Sequence, residues 1–275
     1  DRSVAIEYRF VSYPRVYPVA ARALATLAEM GSTRIGSVSP IHRGDGTEYS
    51  DTRDYQPGDP LRRFDWKAYA RTQRPMVKDF HVEGGGGTCI IYDNQADNLV
   101  SLDELITAFL ELVLSLTMVE SQTEIRLLRE GETYLLDRFN TLLLAVQIAL
   151  EGRVEEFMIY YELLDPLTPR KGFMDKVLRE KMYPNKFDHN SDIYVIVSEL
   201  SGNPVKILQL LETMNSDKIS LLVPSRSWMY QGTLERSYKV YERQMKYIRR
   251  IEKYGYKVYS KPRDLMRMHY NLDAR

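Results

Sequence analysis

Four histidines, His42, His81, His189 and His269, and one cysteine, Cys89, are the residues of this 275-residue chain best suited to metal binding or nucleophilic chemistry. No two histidines stand at the helical spacing of a zinc pair, and no second cysteine joins them, so a zinc site is not expected. Cys89 lies in an apolar run, where a buried structural thiol is the expectation, and one cysteine excludes an internal disulfide. The glycine run 84–87 precedes a strand-like segment and has no Lys-Ser/Thr after it. It therefore reads as a flexible connector and not as a phosphate cradle. No Gly-x-Ser-x-Gly elbow occurs. Gly44-Asp45-Gly46 opens a dinucleotide-type pattern, but Tyr49 takes the place of its third glycine. Carboxylates are plentiful, yet spacing alone nominates no acid–base pair. The chain is read as a non-enzyme, with an unrecognised hydrolase as an alternative, because a site can be assembled from distant residues.

The 38 basic and 38 acidic residues cancel. That balance counts against a general polyanion binder, and the cysteine usage suits a reducing, cytoplasmic setting. The most apolar stretch, 102–118, carries Asp103, Glu104 and Glu111, so a buried amphipathic helix is expected there and not a membrane span. The chain opens at Asp1, and a membrane anchor upstream of it would lie outside this sequence.

Patterning divides the chain at about residue 83. Residues 1–83 read as an irregular arm with a short helical stretch near Ala20 to Met30. Residues 84–275 alternate β-like and helical periods, the pattern of a mainly parallel sheet with helices on both faces. Thr88 to Tyr92 and Ile193 to Val197 read as central strands buried on both faces. Further strands are expected at 123–128, 133–136, 219–223 and 256–259, with Gly131 in the turn between the first two. Ser101 and Glu104 have capping-box spacing before the apolar helix. Other helices are expected at 141–150, 155–164, 174–182, 204–214 and 238–254.

The densest constellation runs from His42 to Thr72. It contains Gly44-x-Gly46-x-Glu48-Tyr49, Arg53-x-Tyr55, Pro57-Gly58-Asp59, Arg62-Arg63-x-Asp65-Trp66 and Ala70-Arg71-Thr72. Pro57-Gly58 is a turn signal; Asp59 suits a helix N-cap, with Pro60 at the first helical position. This stretch resembles the signature of the domain of unknown function 58 family. The resemblance implies a von Willebrand factor A-like, Rossmann-like α/β domain after the signature. Two roles are open for Glu48, Arg53, Tyr55, Gly58, Asp59, Arg62, Arg63, Asp65, Trp66 and Arg71. They could pin the arm to the sheet domain, with Trp66 buried and Arg62 or Arg63 on a carboxylate. They could also form a docking surface.

The resemblance implies more. Von Willebrand A domains often carry a metal-ion-dependent adhesion site at the carboxyl ends of their strands, where oxygen ligands hold Mg²⁺. At the matching positions stand Asp93, Gln95 and Asp97, then Thr141 and Glu199. This degenerate set favours no tight metal and no cofactor, Mg²⁺ being the alternative. Asp93, Asp97 and Glu199 together would make the rim of the sheet acidic. Relatives are often associated with MoxR-type AAA+ ATPases, which implies a protein-interaction or scaffold role beside such a partner. The rival reading is nucleic-acid binding by the basic, tyrosine-rich stretch 235–270, using stacking and phosphate contacts.

Overall fold

The computed structural model describes residues 13–36, 48–54, 65–81, 87–119, 121–164, 183–184, 191–201, 204–214 and 219–270. The side chains of 32–36, 48–54, 68, 77–81 and 163 lie outside that description. So does the helix expected at 174–182. The described chain is α/β, with a six-stranded, mainly parallel sheet between two helical layers, which agrees with the Rossmann-like arrangement expected.

The sheet is built from β3 (Thr88–Tyr92), β4 (Thr123–Leu127), β5 (Thr133–Leu135), β6 (Ile193–Val197), β7 (Ile219–Leu222) and β8 (Lys257–Tyr259). Its order is β5-β4-β3-β6-β7-β8. Only β4 and β5 pair antiparallel, joined by a turn in which Gly131 has φ +71°, a conformation that favours glycine. β3 and β6 lie at the centre, as their continuous apolar sequences require. Along β3 the side chains alternate: Ile90 and Tyr92 enter the larger core, Cys89 and Ile91 the smaller one. Burial pushes the Cys89 thiol up to about 12, so it is an inert core group.

The larger core is covered by α1 (Val16–Gly36), α3 (Leu99–Met118), α4 (Arg138–Ala149), α5 (Val154–Leu164) and α8 (Pro262–Tyr270). The smaller core is covered by α6 (Pro204–Thr213) and α7 (Leu234–Lys253). β3 connects outward through α3 in one direction, and β6 through α6 in the other. Right-handed crossovers running in opposite directions put their helices on opposite faces, and the order reverses between β3 and β6.

Two differences from the sequence reading have clear causes. The helix expected at 20–30 extends over 16–36, and α1 is no loose appendage. Val16, Tyr17, Ala20, Ala23, Leu24 and Leu27 form a stripe at helical spacing buried in the larger core. The Asp103 carboxylate accepts hydrogen bonds from the Arg15 and Val16 amides (2.8 and 3.3 Å), and Arg15 pairs with Glu104 at 2.6 Å. The charges that argued against a membrane span thus anchor α1. Among the described residues no helix is long and apolar enough to cross a membrane. The second difference is the start of α3. Its N-cap is Asn98, whose side chain accepts from the Ser101 amide at 2.9 Å, so the helix begins about one turn before the capping box would place it.

Before the sheet, β1 (Glu48–Asp54) and β2 (Met76–His81) pair antiparallel, and the short α2 (Trp66–Thr72) lies between them in sequence. The Asp65 amide donates to the Met76 carbonyl at 2.8 Å, tying α2 to β2.

Candidate functional site

The carboxyl ends of β3 and β6 meet at the point where the strand order reverses, the place where open α/β sheets receive ligands. Asp93 ends β3 and is 2% exposed; Glu199 follows β6 and is 0% exposed. The Ser198 hydroxyl donates to Asp93 Oδ2 at 2.8 Å and accepts the Leu200 amide at 3.0 Å. Glu199 Oε2 accepts the Asp97 amide at 3.0 Å and the Ser201 hydroxyl at 3.4 Å. Leu200 holds φ +61°, a left-handed backbone that costs a non-glycine residue about 1–2 kcal/mol. Its side chain is locked in the smaller core, which fixes the bend that turns Glu199 inward.

Both carboxyls are pushed above their ordinary values, chiefly by burial. For Asp93 the Ser198 hydroxyl, the Gln95 amide and the Lys206 charge oppose that shift. For Glu199 the Ser227 hydroxyl, the Asp97 amide and the Ser101 hydroxyl oppose it, while the Asp97 charge adds to it. Among the described residues no hydrogen bond closes on Glu199 Oε1. Gln244 of α7, also buried, donates to the Glu199 and Ser225 carbonyls at 3.1 and 3.2 Å, joining the loops after β6 and β7.

The expected metal residues divide accordingly. Asp93, Asp97 and Glu199 do gather at the rim, but their charge is not displayed there, because two are buried and Asp97 pairs with Arg243 at 2.5 Å. The acidic rim expected from the sequence is therefore corrected: charge that would face solvent is spent on internal hydrogen bonds. Gln95 contributes its backbone amide to Asp93 at 3.4 Å. Thr141, in the first turn of α4, donates its hydroxyl to the Leu136 carbonyl at 3.2 Å. Among the described residues no group of three His, Cys, Asp or Glu side chains is arranged to hold a metal ion. The oxygens of Asp93 and Glu199 fit a carboxylate lock better than a cation cage.

Of the signature residues, Tyr55, Gly58, Asp59, Arg62 and Arg63 lie outside the described residues, and Glu48 and Arg53 are placed only as β1 backbone. Asp65 is buried and accepts the Lys67 amide at 3.0 Å, opening α2. Trp66 departs from the anchoring expectation. It is 70% exposed and stands edge-on to Tyr69 at 6.4 Å between ring centroids, on a two-turn helix too short to bury both its faces. Arg71 is exposed.

The sequence reading missed Ser198, Asn98 and Gln244. A cap residue three positions before Ser101 was legible as Asn98; nothing local marks Gln244, whose partners are distant in sequence. It also missed a Ser–His contact, Ser220 to His269 Nε2 at 2.8 Å. Ser220 is 1% exposed, so no substrate reaches its hydroxyl.

The rim also exposes apolar side chains. Leu99 (76% exposed) and Val100 open α3, Val205 lies at the start of α6, Met229 lies in the 3₁₀ turn Ser227–Tyr230 after β7, and Leu234 opens α7. The Tyr230 hydroxyl donates to Glu104 at 2.7 Å, pinning that turn to α3.

Two proteins described as uncharacterised, one from Mycobacterium bovis and one from Mycobacterium tuberculosis, are each 40% identical to the chain over 53 residues. That match covers 19% of this chain and 17% of each relative. No solved structure matches the chain. Residues 51–105, which run from β1 across α2, β2 and β3 into the first turns of α3, match the model of the family described as protein of unknown function DUF58.

Proposed function

We propose that the chain is a protein-interaction module, not an enzyme, and that it docks its partner on the rim formed by the starts of α3, α6 and α7 and the turn after β7. One observation carries this reading. The rim's buried carboxylates, Asp93 and Glu199, are turned inward and accept hydrogen bonds, while Leu99, Val100, Val205, Met229 and Leu234 are left to solvent. Exposed apolar residues gathered at one edge mark a contact surface. The turned-in carboxylates fix the loops from which those residues project.

The partner proposed is a MoxR-type AAA+ ATPase, on the strength of the resemblance of the 42–72 signature. The role would be assembly or remodelling of other proteins. The test measures binding of the host's recombinant MoxR-type ATPase to the chain and to a Leu99→Lys, Val100→Lys, Met229→Lys variant. Desolvated hot-spot residues are worth about 1–2 kcal/mol or more each, so a loss of at least tenfold is expected. Equal binding by both proteins would remove the rim from the interface. No binding by either would remove this partner.

A further inference from the structure

We propose that α7 carries a second docking face, a cationic stripe that receives an acidic α-helix of a partner protein. Arg236, Lys239, Arg243, Lys246, Arg250 and Lys253 follow one another at intervals of 3, 4, 3, 4 and 3 residues, and all six are exposed. The stripe runs about 26 Å at 1.5 Å per residue. The opposite side of α7 is engaged in the smaller core through Ile251, Tyr247 and Ile248, with Gln244 buried beside them. The cationic side is thus held outward by the packing of the inner one.

Lys239 pairs with Glu235 at 2.6 Å, and Arg243 with Asp97 at 2.5 Å. Arg250 lies over the Tyr254 ring at 5.9 Å. Arg236, Lys246 and Lys253 have no ion-pair partner among the described residues. Like charges three and four residues apart repel along a helix. On a chain whose total charge cancels, this row, with Lys239 and Arg243 paired, still leaves a local positive excess that suits an anionic counterpart.

The spacing selects the kind of counterpart. An average step of about 3.5 residues drifts by roughly 20° per heptad, the drift that a second helix packed with a left-handed twist follows. Such a partner, with Glu or Asp at the same 3 and 4 spacing, stays in register along the stripe. The mean interval between cations is about 5 Å, by the helical rise. Same-face side chains of an extended strand recur about every 6.6 Å, so an extended acidic segment falls out of step within a few residues. Nucleic acid is disfavoured by the placement of the aromatic rings. At about 100° per residue Tyr238 and Tyr241 lie on another flank, with Glu242 between them and the cations, and the Tyr254 ring is already taken by Arg250. A phosphate backbone laid on the stripe could not stack its bases on Tyr238 or Tyr241 without crossing the Glu242 carboxylate.

The face is distinct from the apolar rim and stands whether or not the rim reading holds. Fluorescence anisotropy decides it, with two labelled helical peptides of equal composition. One carries glutamates at 3 and 4 spacing over 18 residues, and the other has them spread around the helix. The in-register peptide is expected to bind the whole chain at least tenfold more tightly than the other, and more weakly as salt rises from 50 to 300 mM. An Arg236→Glu, Lys246→Glu, Lys253→Glu variant is expected to lose that binding at least tenfold and to gain binding of the lysine counterpart of the peptide. The Leu99→Lys, Val100→Lys, Met229→Lys variant should bind the in-register peptide as the unaltered chain does. Equal affinity for the two peptides, no binding at 50 mM salt, or tighter binding of a 20-nucleotide DNA would each overturn the proposal. If the charge-reversed variant does not fold, the two peptides on the unaltered chain decide alone.

Discussion

Glu199 concentrates the tension at the rim. It is fully buried, and its carboxyl is raised above the ordinary value of 4.5, chiefly by desolvation. The folded state therefore holds the proton more tightly than the unfolded chain does. The stability this gives is fully present below 4.5 and is lost as pH rises through the raised folded value. Glu199→Gln keeps the shape and removes the titration. Its Tm relative to the unaltered chain is expected to improve as pH rises through that window, as read by thermal melts across pH; parallel curves would show that Glu199 does not titrate in the fold. Millimolar Mg²⁺ is expected to leave Tm unchanged, since among the described residues no group of three His, Cys, Asp or Glu side chains is arranged to hold a metal ion. A ligand at a hundredfold excess over its Kd adds about 2.7 kcal/mol, so a rise abolished by Asp93→Ala would establish a metal site.

At the scale of elements, the informative pieces are the two helix starts that distant or unexpected residues cap. Asn98 satisfies the first turn of α3, so Asn98→Ala should cost about 1 kcal/mol in a urea titration. Glu104→Ala should spare that cap and act through Arg15 and Tyr230 instead, both of which meet its carboxylate. If Asn98→Ala proves neutral, the helix start belongs where the capping-box spacing put it. The start of α1 is capped from α3 by Asp103, an arrangement that binds the first described helix to the sheet domain.

For the whole molecule, α1 decides what counts as the folding unit. It shares the larger core with α3 and α4. Leu24→Ala should therefore destabilise the entire sheet domain by about 2–5 kcal/mol, the usual range for a buried leucine. Chemical denaturation followed by tryptophan fluorescence and by far-ultraviolet circular dichroism should report the same loss. Two separate transitions, with only the first shifted, would mean that α1 is a detachable layer.

The sequence by itself determined the sheet. Runs such as Cys89-Ile90-Ile91-Tyr92 and Tyr194-Val195-Ile196-Val197 are apolar at every position, and only a strand covered on both faces can bury them. It also determined the family resemblance, because the motifs of residues 42–72 are contiguous. It placed Asp93, Asp97 and Glu199 near one edge, since each follows a strand of a parallel sheet. Only the tertiary structure decided what those carboxylates do. Whether an acid faces solvent or turns inward depends on partners such as Ser198, the Asp97 amide and Arg243, which lie up to 146 residues away in the chain. The same holds for Trp66. Its place in a dense motif suggested a pocket, but a pocket is made by other elements, and the two turns of α2 leave the ring exposed. The regular spacing of cations on α7 was written in the sequence throughout. It became a surface only when the smaller core fixed which side of that helix faces outward.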